Sequence, residues 1–254
     1  MRDQHPTLQH HLWTLILLLA PAIAAADGVD WLIAPYLWLP DITLDQSVDS
    51  GDGGGGISAS DLLSKTESAG MIRLEAARNH WGLTVDYIWL SLADQTSLQA
   101  QPPLNIGIDI DGELDLTVVE FGGFYRPTGN IEGVNYLLGV RQIGTDKVIV
   151  ATPNNGQSQV FESDSDVTDV FLGGRYIHHF NDRWELNVRG DYSFGDSEGT
   201  LNLLASVGIR VAGPFSMQLG YRHAVIEFEE DVDGVQNTTE ISLSGPYLGF
   251  VFRF

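Results

Sequence analysis

Chemistry in this chain has few carriers. After residue 26 there are four histidines, His80, His178, His179 and His223, and the chain has no cysteine. Thiol nucleophiles, thiolate metal sites and disulfides are therefore excluded. Of the histidines, only His223 has suitable company, with Glu227 and Glu229 just downstream and Ser242 and Ser244 on the following segment. A histidine base beside a serine hydroxyl is the minimum for nucleophilic catalysis. Without a third group to orient the ring it is more simply an interface residue, so no catalytic residue and no metal ligand are assigned.

The arginines and acids form a clearer pattern. A formal net charge of −21 disfavours a nucleic-acid partner. The cations nevertheless fall at regular places inside alternating segments, in the phase opposite the large apolar residues. Arg73, Glu75, Asp86, Glu120, Arg141, Arg175, Glu185, Arg189, Asp191, Arg210 and Arg222 would then share one enclosed polar side. Buried ions need partners. Hairpin neighbours supply them: Arg73 opposite Asp86, Glu120 near Arg141, Glu185 between His179 and Arg210, and Arg175 facing Arg189 with Asp191 diagonal to both. Such a set is either an ion-paired plug or a charged ion pathway.

The remaining acids gather between these segments: Asp41, Asp45, Asp49, Asp52 and Asp61, then Glu162, Asp164, Asp166 and Asp169, then Glu227, Glu229, Glu230, Asp231 and Asp233. They are expected on solvated loops at one rim. No resident cofactor is expected, although oxygen-rich loops suit weakly held calcium or magnesium. The stretch from Asp49 to Gly56 lacks the twelve-residue spacing of a calcium-binding EF-hand loop, and its glycines mark a flexible link.

The elements that must hold these residues are strands. Residues 1–26 read as a secretory signal, with an apolar block from Leu12 to Ala24 and small residues Ala24 to Ala26 before Asp27, leaving 27–254 as one domain. No later apolar run reaches the roughly 18 residues of a spanning helix. Ten strands are predicted at about 30–40, 69–79, 82–93, 106–126, 133–151, 166–180, 183–195, 200–212, 215–228 and 241–254. Eight is the alternative count. Leu83, Val85, Tyr87 and Trp89 alternate with Thr84, Asp86 and Ile88, and Trp184, Leu186, Val188, Tyr192 and Phe194 with Glu185, Asn187, Arg189, Asp191 and Ser193. In the fourth segment the phase of Leu114, Leu116 and Val118 differs from that of Val119, Phe121 and Tyr125. Either a bulge lies near Val118 or the strand continues above a membrane, and the second is preferred because it keeps Glu120 inside. Trp31, Trp81 and Trp184 fall near one end of their strands. Trp38 and Trp89 lie seven or eight residues further on, a rise of about 18–20 Å in a strand tilted near 40°. The five are expected to form two aromatic girdles, with the faces of Trp31 and Trp38 left open. Pro35 fits the first strand only at a bulge or an unpaired position.

The last segment, Ile241 to Phe254, puts Leu248, Phe250, Phe252 and Phe254 in one phase. This alternating aromatic end resembles that of Gram-negative outer-membrane β-barrel proteins, in which Phe250, Phe252 and Phe254 would be the assembly signal. The resemblance implies an all-β, closed antiparallel transmembrane β-barrel in the outer membrane of a Gram-negative bacterium. Its partners would be outer-membrane lipids, lipopolysaccharide and the barrel-assembly machinery; the oligomeric state is left open. Barrels of this size include proteases and lipid A-modifying enzymes, but neither the protease family's paired aspartates and His-Asp couple nor the deacylase type's His-x-Ser motif is present. The expected function is a structural or surface-interaction role around a charged, largely occluded lumen. The alternatives are a narrow channel for small solutes or cations and an outer-rim enzyme acting on lipid or peptide.

Overall fold

The computed structural model describes residues 28–48, 51–99, 107–153, 157–232 and 235–254. The expected signal segment, Asp49 and Asp233 lie outside them. The chain forms β1 (Asp30–Trp38), β2 (Asp41–Val48), β3 (Gly51–Ile57), a short helix α1 (Ala59–Lys65), β4 (Thr66–Arg78), β5 (Trp81–Gln99), β6 (Gly107–Tyr125), β7 (Gly133–Pro153), β8 (Gln159–His179), β9 (Trp184–Gly195), β10 (Gly199–Ala212), β11 (Phe215–Val232) and β12 (Val235–Arg253). Each strand from β4 to β12 pairs antiparallel with the next, and β1 pairs with both β4 and β12, so the sheet closes on itself. β12 bonds β1 along its C-terminal half and β2 along its N-terminal half. β1 and β2 are thus one stave interrupted at Leu39 and Pro40, and the barrel has ten staves. Up to Tyr36 and Met71 closure leaves no edge in this wall, as lipid requires, and above that level β1–β4 pairing ends.

Alternation decides which side faces lipid. Leu83, Phe121, Leu138, Leu172, Leu203 and Leu219 are exposed on the outside. From Trp184 to Phe194 the outward row climbs ten residues, about 25 Å in a strand tilted near 40°, the height of a bilayer's apolar band. The turns after β4, β6, β8 and β10 are short and lie at the end that also holds Gly28 and Phe254, so this end is periplasmic. Asn79 in the first of these turns has φ 53° and Gly213 in the last φ 50°, left-handed values that asparagine and glycine tolerate best.

Three expectations about the elements need correction. Segments 94–99, 159–165 and 235–240, expected as loops, extend β5, β8 and β12 beyond the apolar band. Backbone pairing continues there after hydrophobic alternation has ended, because water accepts polar side chains on the outer face. The first loop is also not open chain: β2 and β3 form a hairpin, including the glycine run expected as a flexible link, and α1 leads back into the wall. The rim dips at β9 and β10, joined by the tight link Asp196 to Glu198. The fourth predicted strand matches β6, which keeps register with β5 through Val118 without a bulge. Pro35 pairs in register with Ile72 of β4, while the β12 ladder lapses at Ala34 and Pro35.

Candidate functional site

The lumen is filled from the strands inward. Along β9, Glu185, Asn187, Arg189, Asp191 and Ser193 alternate into it and are all buried, as are Asn202 and Ser206 of β10 and Gln218 and Arg222 of β11. Across the β4–β5 hairpin, Arg73 donates from Nε and Nη2 to Asp86 Oδ2 at 2.9 and 2.7 Å, and the Tyr36 hydroxyl donates to Asp86 Oδ1 at 2.7 Å. At mid-height, Arg141 donates to Glu120 at 2.9 Å, to Ser193 at 3.1 Å and to Asp191 at 2.6 Å. Arg189 bonds the same two acids, Asp191 at 2.7 Å and Glu120 at 2.8 Å. Asn202 adds a third bond to Asp191 at 2.8 Å. Two arginines and two carboxylates thus form a doubly bridged square, with geometry good enough to offset desolvation.

Pairs reaching across the lumen escape hairpin arithmetic. Arg175 stands opposite Arg189 in register but bonds Glu75 on the far wall. Asp191 therefore holds Arg189 and Arg141 rather than Arg175. Glu185 meets His179 at 3.4 Å as expected, but its other partners are Arg253 at 2.9 Å and Gln218 at 2.7 Å. Arg210 is solvent-exposed at the periplasmic end, where the pairing of β10 with β11 shifts between Arg210 and Ala212, and it takes no part in the network. Asp169, expected among the loop acids, is buried in the lumen, where it accepts hydrogen bonds from the hydroxyls of Ser193 and Ser197 at 3.1 and 2.6 Å. Arg126 closes the periplasmic floor on Asp30 at 3.1 Å.

Aromatic rings complete the filling. Phe171 lies beneath the guanidiniums of Arg141 and Arg189, 5.5 and 5.7 Å from its ring centre. Room for that ring comes from Gly139, where a Cβ would lie 2.6 Å from it. Trp38 also points into the lumen, 8 % exposed, under Arg222 at 4.5 Å. It therefore belongs to no girdle. Trp81 and Trp184 are exposed near the periplasmic end, Trp31 is half-buried there, and Trp89 stands higher beside Tyr87.

The network lies between two cavities. Below it, a vestibule of about 530 Å³ opens at the periplasmic end beside Arg126, Arg175 and Arg253. Above it, a chamber of about 240 Å³ is lined almost entirely by apolar side chains, among them Ile88, Leu90, Val118, Ile143 and Leu243. This chamber was not foreseen. Its signal was apolar residues in the lumen phase of the upper strands, Ile88 and Leu90 in β5 and Leu116 and Val118 in β6.

Outside the lumen, His223 Nδ1 and Ser244 Oγ lie 2.6 Å apart on adjacent strands. Among the described residues no carboxylate pairs with that imidazole, so the couple lacks an orienting partner. Asp41, Asp45, Glu162, Asp164, Asp166 and Glu227 are exposed toward the outer rim, while Asp61 is on α1. The side chains of Asp52, Glu229, Glu230 and Asp231 lie outside the described set. Among the described residues no three acids or histidines are grouped to hold a metal ion. On α1, Lys65 holds the exposed Asp94 carboxyl below its usual range through a 2.6 Å hydrogen bond.

No family model and no curated protein matches the sequence. Among solved structures, the chain is similar to the translocator domain of the autotransporter NalP from Neisseria meningitidis, at 11 % identity and TM-score 0.45 over 97 % of this chain and 96 % of that one. It is also similar to the outer membrane protease OmpT from Escherichia coli, at 9 % identity and TM-score 0.43 over 91 % and 98 % of the two chains. A third is neisserial surface protein A, at 16 % identity and TM-score 0.27 over 90 % and 100 %. These likenesses are loose and say nothing of activity. With its sheet closed, its outer face apolar over a bilayer's height and its polar groups turned inward, the chain has the fold of a transmembrane β-barrel.

Proposed function

We propose that this barrel is an occluded outer-membrane protein whose working surface is its extracellular half, with a structural or surface-interaction role. The observation that carries this reading is the square of Arg141, Arg189, Glu120 and Asp191, with Arg73–Asp86 and Arg175–Glu75 beside it. Side chains that bond one another across a ten-stranded lumen leave no continuous aqueous path. Proteoliposomes carrying the folded barrel should swell in glycine or glucose no faster than protein-free vesicles. Porin-like swelling would favour the channel alternative.

The acidic rim would then be the face turned to the cell's surroundings. Carboxylates crowded there repel one another unless screened or bridged, and divalent ions also link them to lipopolysaccharide phosphates. Millimolar magnesium or calcium should therefore protect the rim from external protease better than sodium at equal ionic strength. Equal protection by both salts would reduce these acids to a solvated surface.

A further inference from the structure

The wall is incomplete beside the upper chamber. β1 and β4 stop pairing at Tyr36 and Met71, after which β2 takes β12 and β3 as neighbours and residues 66–70 of β4 bond only β5. Helix α1 straddles the resulting gap. Its first amide, Ala59 N–H, donates to Asp41 Oδ1 on β2 at 2.6 Å, Lys65 reaches Asp94 on β5, and Leu62 is buried beneath it. The residues around this gap line the same cavity as the lumen. Leu37 and Leu63 border it while 46 % and 59 % exposed, the former on the lipid-facing phase of β1, whereas Ile88 and Ala224 border it from inside. Residues from the lumen side and from the lipid-facing side thus border one cavity beside α1.

Its floor is different. Polar side chains lining the chamber are Arg141, Arg222, Asn202, Thr200 and Thr66. Arg141 spends its donors on Glu120, Ser193 and Asp191. Arg222 does not. Its Nε donates to Asn202 at 2.9 Å, its nearest carboxylate is Glu120 at 3.9 Å, and its Nη1 has no hydrogen-bond partner although the side chain is only 7 % exposed. The indole Nε1 of Trp38, stacked against it, is likewise unpartnered. Unpaired buried donors are costly, and two of them at the foot of an apolar cavity ask for an acceptor.

We propose that the chamber is a binding site for a single apolar-bodied monocarboxylate, an alkyl-chain acid, that enters sideways from the membrane. The carboxylate rests on Arg222 and Trp38, and the chain lies along Met71, Ile88, Val118 and Leu243. The size fits. An apolar cavity of about 150 Å³ suffices for benzene, and this one measures about 240 Å³. The acid form is favoured over an alcohol or amine because Arg222 hydrogen-bonds no carboxylate, Glu120 standing 3.9 Å away, and a charged acceptor strengthens its hydrogen bonds. The site rests on the occluded-lumen reading only for its floor.

The test is equilibrium binding of radiolabelled decanoate to the folded barrel in phospholipid nanodiscs, with empty discs subtracted and decanol and decylamine as controls. The site predicts saturable binding of one decanoate per barrel, at least about tenfold tighter than either control. Arg222→Gln should weaken decanoate to the level of decanol and leave decanol unchanged. Ala224→Phe, which fills the chamber and leaves the floor intact, should abolish both. Heat-modifiable migration establishes that each variant is folded. Absence of saturable uptake, equal affinity for acid and amine, or decanoate binding indifferent to Arg222→Gln would overturn the proposal. So would one phospholipid per barrel retained through detergent exchange with no decanoate taken up, since the occupant would then be a lipid's own chain. Ion current through the same preparations reports separately on the plug: a conducting barrel that still binds decanoate would refute the occlusion and not the site.

Discussion

Asp191 accepts from three side chains at the centre of the network, Arg141, Arg189 and Asn202, with its own side chain fully buried. Removing it leaves two buried guanidiniums sharing one carboxylate, Glu120. Asp191→Ala should lower unfolding free energy in detergent by about 3–5 kcal/mol, the range for breaking a buried pair. Asp191→Asn, which keeps one acceptor oxygen, should cost less. Denaturant titration followed by heat-modifiable migration measures both, and wild-type resistance in Asp191→Ala would mean that water reaches the network. The pairs visible in the sequence were those between neighbouring strands, Arg73 with Asp86 and Glu120 with Arg141, because a tight turn fixes which residues stand opposite. Glu75 with Arg175 and Glu185 with Arg253 join strands far apart in sequence, and only the curvature of the closed sheet brings them together. Asp169 was misassigned for a related reason: it lies beside a run of loop acids in sequence but one position inside the lumen phase.

At the scale of elements, the closing seam depends on its last rung. Trp31 N–H donates to Phe254 O and Phe254 N–H to Trp31 O, both at 3.0 Å, and Phe215 stacks on Phe252 and Phe250 beside them. Deleting Phe254 removes both hydrogen bonds and shortens the aromatic row, so export should continue while the folded, heat-modifiable fraction in outer-membrane extracts falls sharply. An unchanged folded fraction would show that the seam closes without it. Spanning strands were legible because half of each faces lipid and half a polar lumen, which enforces period two. The extensions of β5, β8 and β12 were not, since above the bilayer that constraint lapses while the backbone goes on pairing. The hairpin of β2 and β3 hid for the same reason, its glycine run offering no alternation at all.

For the molecule as a whole, the fold follows from one constraint applied throughout: every backbone polar group in lipid must be bonded, so the sheet must close. A ten-stranded lumen is then wide enough to need filling and narrow enough for arginines to fill it. Fold class and the polar inner face could be read from alternation, but whether that inner face is a plug or a pathway depends on distances across the lumen, which no single strand reveals. The apolar chamber over the plug was equally hidden, being composed of residues from many staves. The most direct measurement of occlusion is the current through purified wild-type barrel in planar bilayers at neutral pH in molar potassium chloride. The network predicts a membrane as silent as one without protein. Steady, voltage-independent steps in current that scale with salt concentration and change when Arg141 is replaced by alanine would contradict it.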